Sequence, residues 1–316
     1  MTGRLVHTGQ VILDLVMRVP GLPPRGGDVV ATSTDLTPGG GFNVLAAAAR
    51  AGAPVLYAGG HGGGRFGELV RAALDAEGVA VALPPDLHGD TGICVVLVDD
   101  AGERTFVTGA GAESGVDPGV LAAVPIGASD VVYVSGYSLL VAAKADVLLD
   151  RLAALDGATV LVDPGPLAGD VDPRVWDRLL RCTGILSANV REAGLLTGQD
   201  DPQAAAAALV RRLAPGAAVV VRDGPAGCLL THDGRTERVP GVPVTAVDTT
   251  GAGDAHCGVL AAELLRGADL RTAAVRANAA AAIAVTRPGP ATAPVRAEVD
   301  ALLRPRPGPT NGTSVG

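Results

Sequence analysis

The alternation of short apolar runs with alanine-rich stretches is the sequence feature that most constrains the fold. Apolar runs of about five residues are too short for buried helices and predict strands covered on both faces. They lie at Val55–Ala58, Asp130–Ser135, Thr159–Asp163, Gly184–Ala188 and Ala217–Arg222. The stretches typical of helices are Asn43–Ala51, Gly67–Glu77, Ala142–Ala154, Val175–Arg181, Glu192–Thr197 and Pro202–Leu213. This alternation predicts an α/β fold, with a doubly wound parallel sheet between two layers of helices.

Two segments depart from this alternation because their β-type patterns are not followed directly by a helix. Asp14–Thr37 and Thr91–Thr108 therefore predict a small separate sheet, which could close over a substrate as a lid. The alternative is an ordinary edge hairpin. The pattern predicts one domain over residues 1–303, followed by a disordered tail from Arg304 that is rich in Pro, Gly and small polar residues.

Charge and cysteine usage limit the classes of function. The formal net charge of -8 argues against a nucleic-acid surface, which needs clustered basic residues. No uncharged apolar run reaches the roughly 18 residues of a membrane span, so neither nucleic acid nor membrane is expected as a partner. The four cysteines form no CxxC pair and are expected to be reduced thiols in a cytoplasmic protein: Cys94, Cys182, Cys228 and Cys257.

A glycine-rich turn with the sequence DTTGAGD carries the strongest chemical signal. It joins a predicted strand, VPVTAV, to a helix, and small residues at a helix start leave backbone N–H groups exposed to bind an anion. Asp254 at its end would repel a bound phosphate, but it suits a base that takes a proton from an attacking hydroxyl. The alternative is that Asp254 only caps the helix.

Two further motifs offer groups to a sugar and a nucleotide. In TPGGGFN the glycines allow close approach of the backbone to a ligand, and Asn43 offers a donor and an acceptor to hydroxyls. In NVRE, Asn189 and Glu192 share a helix face, where Glu192 could organise water around Mg²⁺. Helix capping is the alternative for both asparagines. There is no P-loop, because the single lysine, Lys144, lacks the required glycines.

In this order the motifs resemble the ribokinase-like (PfkB-type) carbohydrate kinase family, from about Gly9 to Leu303. GGGFNVLAAAARAG is similar to the family's N-terminal signature and DTTGAGDAHCGVLAAELLRG to its C-terminal signature. NVRE matches the family's Asn-x-x-Glu motif, and RANAAAAIAVTRPG resembles its closing helix and loop. The resemblance implies an ATP-dependent kinase that phosphorylates a hydroxyl of a small sugar, uses Mg²⁺ and is activated by K⁺.

The resemblance also implies a role for each matching position. Asp254 is the base, above an anion hole formed by Gly251, Ala252 and Gly253. The sugar site comprises Asp14, Gly39, Gly40, Gly41 and Asn43. The ATP contacts are Asn189, Glu192, Arg222, Gly224, Gly227 and Asn278. The loop around a monovalent cation comprises Asp248, Thr250, Ala284, Arg287 and Gly289.

The chain departs from the family pattern at several positions. Residues 62–64 are three glycines where Gly-Asp-Asp is frequent, Arg222 stands where Thr is common, and Ala293 replaces a common Ser. His256 occupies a usual Phe position, where it fills space. In this family the lid strands often supply dimer contacts, so a homodimer through the lid is a further expectation.

Three alternatives to a plain sugar kinase follow from the same residues. A nucleoside kinase would need aromatic groups around the base, and aromatic residues are only 2 % of the chain. A sugar-phosphate kinase would need extra cations, for which Arg65 and Arg104 are candidates. A sugar-sensing protein without activity would not need a base at the phosphate turn, so the presence of Asp254 favours an enzyme.

Overall fold

The main sheet of the computed structural model has nine strands and is mostly parallel. The structure describes residues 3–115 and 122–304, so the disorder expected for the tail lies outside the described residues except at Arg304. The strands are β1 (Leu5–His7), β4 (Val55–Tyr57), β5 (Ala80–Val81), β8 (Val131–Ser135), β9 (Thr159–Asp163), β10 (Ile185–Asn189), β11 (Ala218–Arg222), β12 (Cys228–His232) and β13 (Arg235–Val239). Their order is β13-β12-β11-β10-β9-β8-β1-β4-β5, and β12 pairs antiparallel with both of its neighbours, β11 and β13, whereas the other pairs are parallel. The predicted doubly wound sheet is thus confirmed. The strand predicted at VPVTAV is wrong: residues 242–247 form no strand, and Pro243 has no N–H to donate to a sheet.

The two segments outside the βα alternation form a second sheet of four strands. It contains β2 (Val11–Arg18), β3 (Ser33–Gly40), β6 (Ile93–Val98) and β7 (Arg104–Gly109), in the order β3-β2-β6-β7. The central pair, β2 and β6, is parallel and joins chain segments about 80 residues apart, which an edge hairpin cannot do. The prediction of a small separate sheet is therefore confirmed, and we call it the lid sheet.

Helices cover both faces of the main sheet, as expected. They are α1 (Phe42–Arg50), α2 (Arg65–Ala76), α3 (Ala142–Ala153), α4 (Pro173–Cys182), α5 (Val190–Thr197), α6 (Pro202–Val210), α7 (Ala252–Leu265), α8 (Leu270–Ala284) and α9 (Arg296–Leu303). One core contains buried residues of α1, α7 and α8, and the other contains buried residues of α3 to α6. Helix α4 begins before the predicted Val175, because the Asp172 side chain caps it and Pro173 takes the first helical position.

Small residues set the distance between α1 and α7, the two helices that carry the strongest motifs. A Cβ atom added to Gly258 would lie 2.6 Å from Cβ of Ala47. The alanine-rich composition therefore allows two helix backbones to pack closely, which brings their N-terminal turns together. Among the described residues, no helix combines the length and the apolar character needed to cross a bilayer.

Candidate active site

The first turns of α1 and α7 meet through their polar side chains. Asn43 Nδ2 donates a hydrogen bond to Oδ2 of Asp254 at 3.0 Å, across 211 residues of sequence. Neither residue caps its helix, because the cap positions are Gly41 and Gly251 and neither has a side-chain cap bond. The capping alternatives for Asn43 and Asp254 are thus excluded, and both side chains face a shared site.

The turn before Asp254 has the backbone geometry of an anion site. Gly251 has φ of +74°, which L side chains rarely adopt, and a Cβ there would lie 2.0 Å from the carbonyl oxygen of Pro290. The N–H of Ala252 donates back to the carbonyl of Thr249 at 3.3 Å. The later first-turn N–H groups, including that of Gly253, have no partner within the helix and can bind an anion.

Asp14 faces the same site from the middle of β2 in the lid sheet. A Cβ on Gly39 would lie only 2.0 Å from Asp14 Oδ2, so the close approach of strands β2 and β3 requires glycine there. Gly40 and Gly41 then connect β3 to α1. The expected sugar-site residues therefore surround Asp14 and continue directly into the helix that carries Asn43.

Two carboxylates at this site, Asp254 and Asp14, have pKa values well above their ordinary range. Burial raises the pKa of Asp254 to about 6, with a further increase from the charge of Asp163, against the hydrogen bond from Asn43 and the charge of Arg222. Burial also raises the pKa of Asp14 to about 6, and the charge of Asp254 adds to it. Such a pair is typical of a site that transfers protons near neutral pH.

A second cluster lies where β10 and β11 end. Asn189 and Glu192 form a capping box: Asn189 Oδ1 accepts from the Glu192 N–H at 2.8 Å, and Glu192 Oε2 accepts from the Asn189 N–H at 2.8 Å. Glu192 Oε2 also lies 3.2 Å from Nη2 of Arg222, which pairs with Asp163 Oδ2 at 3.1 Å. Capping, the alternative at this motif, is therefore present together with an ion-pair network.

An open cleft of about 400 Å³ adjoins this cluster. It is lined by Asn189, Val190, Arg191, Arg222, Asp223 and Gly224. Three of the residues expected to contact ATP are not among the lining residues: Glu192, Gly227 and Asn278. Asn278 Nδ2 donates to the carbonyls of Val239 and Pro240 at 3.1 and 3.2 Å, so its amide supports the segment after β13.

The residues expected around a monovalent cation come together, but their polar groups already have partners. Oδ1 of Asp248 accepts from the Thr250 N–H at 2.9 Å and hydroxyl at 2.7 Å, and Oδ2 accepts from the Gly289 N–H at 3.1 Å. Arg104 Nη2, from β7, pairs with Asp248 Oδ1 at 2.5 Å. Burial raises the pKa of Asp248, but these hydrogen bonds and the Arg104 charge outweigh it and lower the pKa.

The carbonyls of this loop are also engaged. The Thr292 hydroxyl donates to the Ala284 carbonyl at 3.0 Å and lies 3.3 Å from the Gly289 carbonyl oxygen. Arg287 pairs with Glu298. A guanidinium neutralises the carboxylate and a hydroxyl bridges two of the carbonyls, so these residues do not fit a K⁺ ion as the resemblance implied.

We expect the reaction rate to be the same in buffers that contain only Na⁺ or only K⁺, because Arg104 already supplies the positive charge beside Asp248. Steady-state kinetics at equal ionic strength checks this. Arg104→Met is the matched variant: it leaves Asp248 uncompensated and should become sensitive to K⁺. A clear stimulation of the wild type by K⁺ would contradict the expectation.

Several residues at the site were not recognised from the sequence. Asp163 ends β9 and pairs with Arg222, and its signal was an aspartate that closes the apolar run in VLVDPG. Asp90 accepts from the N–H groups of Phe66 and Gly67 at the start of α2, and a Cβ on Gly64 would lie 2.5 Å from its carboxylate. Asp90 thus places a carboxylate beside residues 62–64, the loop in which the family frequently has two aspartates.

Two buried histidines near these loops are neutral. Burial lowers the pKa of His256 to about 3, with a contribution from Arg222, and burial also lowers the pKa of His61. Their ring nitrogens have no hydrogen-bond partner within residues 3–115 and 122–304. His256 lies in the packed interior of α7, as expected for a residue that fills space.

Comparisons with known proteins agree with the fold and the motifs. The sequence pattern of the "pfkB family carbohydrate kinase" matches residues 2–297. The chain is 30 % identical over 304 residues to the uncharacterized sugar kinase YegV of Escherichia coli, covering 92 % of this chain and 91 % of that protein. It is 31 % identical over 309 residues to an ATP-dependent ribose-1-phosphate kinase of Halopiger xanaduensis, covering 96 % and 99 %.

A solved structure shows the same architecture. The aminoimidazole riboside kinase of Salmonella enterica, complexed with aminoimidazole riboside and an ATP analogue, superposes with a TM-score of 0.81 at 26 % identity. The superposition covers 95 % of this chain and 100 % of that one.

Proposed function

The chain belongs to the PfkB family of carbohydrate kinases, which are ATP-dependent phosphotransferases, and we propose that it transfers the γ-phosphoryl group of ATP to a hydroxyl of a small sugar. The observation that carries this proposal is the hydrogen bond between Asn43 and Asp254, which joins the sugar-site motif to the phosphate turn. The reaction is placed in the cytoplasm, where ATP is available.

Asp254 acts as the general base. The hydroxyl proton moves to its carboxylate while the hydroxyl oxygen forms a bond to the γ-phosphorus, and the bond to the bridging oxygen breaks so that ADP leaves with the electron pair. The turn of Gly251, Ala252 and Gly253 and the start of α7 stabilise the charge on the transferring group. The Asn43 amide orients the carboxylate through its 3.0 Å hydrogen bond.

Asp14 and Asn43 hold the sugar hydroxyls. Support comes from their placement on either side of the Gly39–Gly41 segment and from Asn43 Oδ1, a buried acceptor without a partner in the described part of the chain. A sugar hydroxyl can donate to such an oxygen, which removes the cost of leaving it unpaired.

Magnesium belongs to the proposal as the ion that accompanies ATP and neutralises phosphate charge. Within the described ranges, no three His, Cys, Asp or Glu side chains form a metal-binding group. A divalent ion would therefore take most of its ligands from phosphate oxygens and water, as Mg²⁺ commonly does. We assign Glu192 the ordering of that water, because its carboxylate is bonded to Asn189 and Arg222, two residues that line the open cleft.

The experiment that tests the function is a screen of pentoses, hexoses, nucleosides and sugar 1-phosphates with Mg·ATP, with product mass as the readout. We expect a neutral monosaccharide to react best, because the carboxylates of Asp14 and Asp254 make the sugar site acidic and would repel a sugar phosphate. Arg104, a candidate cation for such a phosphate, already pairs with Asp248. Absence of any phosphorylated product from folded protein would overturn the proposal.

A nucleoside is the second candidate because an aromatic side chain stands beside the cleft. Tyr137 is exposed in the turn that follows β8; burial raises its pKa, and the charges of Asp254, Cys94 and Asp14 add to the increase. A ring at this position can stack on a base. The nucleoside arm of the same screen decides between the two substrates.

The lid sheet is proposed to close over the sugar and exclude water, which limits hydrolysis of ATP. It bears Asp14, and the Arg104 ion pair connects it to the phosphate turn. We expect amide hydrogen exchange in β2, β3, β6 and β7 to slow when sugar is added. Strand β10 of the main sheet serves as the internal control, and unchanged exchange in the lid at saturating substrate would contradict closure.

The outer face of the lid sheet supports a homodimer. Leu36, Leu15, Val95 and Val107 are neighbours across all four strands, on the face opposite Asp14. Leu36 and Val107 are exposed, and such an apolar row suits pairing with a second copy of the same sheet. Sedimentation should show a dimer for the wild type and a monomer for Val107→Asp, whereas a monomeric wild type would remove the dimer.

A further inference from the structure

Arg222 is the most buried cation at the site, and the fold holds it from one side. Its side chain is 12 % exposed. The residue ends β11, where it pairs with Asn189 of β10 in the sheet register. Nη2 lies 3.1 Å from Asp163 and 3.2 Å from Glu192, so two carboxylates anchor a single nitrogen. This arrangement fixes the guanidinium and leaves its other nitrogens for a different partner.

The other side of the guanidinium lies against the phosphate turn. A Cβ added to Gly253 would lie 2.1 Å from Nη1, so Gly253 is the residue that lets Arg222 approach this closely. Nη1 has no hydrogen bond to any residue in the ranges 3–115 and 122–304, and Nε is buried and unpaired within them. A buried donor such as Nε is costly to leave unpaired unless a ligand completes it.

The open cleft supplies a place for that ligand. Arg222 forms part of its lining together with Asn189 and Gly224, so the guanidinium stands between the cleft and the turn before Asp254. A nucleotide in the cleft would reach the turn through its terminal phosphate, and it would pass Nη1 on the way.

We propose that Arg222 is a catalytic residue whose Nη1 donates a hydrogen bond to the γ-phosphoryl group as it moves from ATP to the acceptor hydroxyl. The inference rests on the proposed kinase function and adds a full positive charge to the turn. Backbone N–H groups at a helix start carry only about half an elementary charge. The surrounding carboxylates, Asp163, Glu192 and Asp254, repel a phosphoryl group, and the arginine offsets that repulsion. Arg222 remains protonated throughout, and the hydroxyl proton goes to Asp254.

The first test compares nucleotides that differ only in the γ-phosphoryl group. Titration calorimetry with Mg·AMP-PNP and Mg·ADP should show that Arg222→Met weakens AMP-PNP binding about tenfold or more, since a lost charge-assisted hydrogen bond costs about that factor. ADP binding should change little. Equal losses for both nucleotides, or no loss, would overturn the proposal.

A second pair of variants separates catalysis from charge balance. Arg222→Met leaves Asp163 and Glu192 uncompensated and can lower stability, whereas Arg222→Met with Asp163→Asn removes one of these charges. We expect the double variant to recover melting temperature while kcat stays about 10²–10³-fold below that of Asp163→Asn alone, the loss typical of one oxyanion donor. Recovery of kcat with stability would show that Arg222 only balances charge.

The two proposals fail in distinguishable ways. A wild type that phosphorylates none of the screened acceptors, but loses AMP-PNP selectivity in Arg222→Met, would remove the sugar acceptor and keep the role of Arg222. A wild type that phosphorylates a sugar, with Arg222→Met fully active, would keep the sugar acceptor and remove the role of Arg222.

Discussion

Asp254→Asn should lower kcat by about 10²–10⁴-fold, the usual contribution of a general base. The asparagine keeps the size of the side chain and an oxygen that can accept from Asn43, but it cannot take the hydroxyl proton. ATP affinity should stay within a few-fold, because the backbone of the turn that we propose to bind phosphate is unchanged. Near-normal turnover of the folded variant on the sugar identified by the screen would refute the assignment.

The pH dependence provides the control for this variant. In the wild type, kcat/KM should rise through about pH 6, where Asp254 and Asp14 lose their protons. Asp254→Asn should lose the rise of kcat/KM that deprotonation of the base causes, while Asp14→Asn should retain this rise. An acid limb that is the same in wild type and Asp254→Asn would assign the base elsewhere.

Protein stability gives a second control with a defined sign. The pKa of Asp254 in the folded protein, about 6, lies above the ordinary value of 3.8, so the free energy of unfolding falls as pH rises between these two values. At pH 8 the ionised, partly buried carboxylate destabilises the unliganded protein by on the order of 2–3 kcal/mol. Asp254→Asn should therefore melt at a higher temperature than the wild type at pH 8, which excludes unfolding as the cause of lost activity.

Asp14→Ala should raise the sugar KM by about 10–100-fold, because hydroxyls of the bound sugar lose a charged partner in a partly buried site. AMP-PNP binding, measured in the absence of sugar, should be unchanged, since Asp14 lies on the lid sheet and not in the open cleft.

Asp35→Ala is the matched control for this variant. Asp35 lies on the neighbouring strand β3, paired with Val16, and is exposed. Removing its carboxylate should leave the sugar KM unchanged. Equal losses for sugar and nucleotide in Asp14→Ala, or an equal effect in Asp35→Ala, would contradict the placement of Asp14 at the sugar.

The sequence alone predicts the three-layered α/β architecture, the separate lid sheet and the glycine-rich turn before Asp254. Strands and helices are recognised because their apolar periods differ, and buried parallel strands have an unbroken apolar run. The turn before Asp254 is recognised because small residues at a helix start leave backbone N–H groups exposed. This effect depends on the local sequence and not on distant contacts.

The contacts between side chains follow only from the tertiary structure. Asn43 and Asp254 contact each other because α1 and α7 pack closely, and Arg104 reaches Asp248 because the lid sheet lies beside the turn. The ion pair of Arg222 with Asp163 depends on strand order and on the direction of a long side chain. Sequence patterns specify which face of an element is buried, whereas strand order, packing distance and rotamer fix the partner of each polar group.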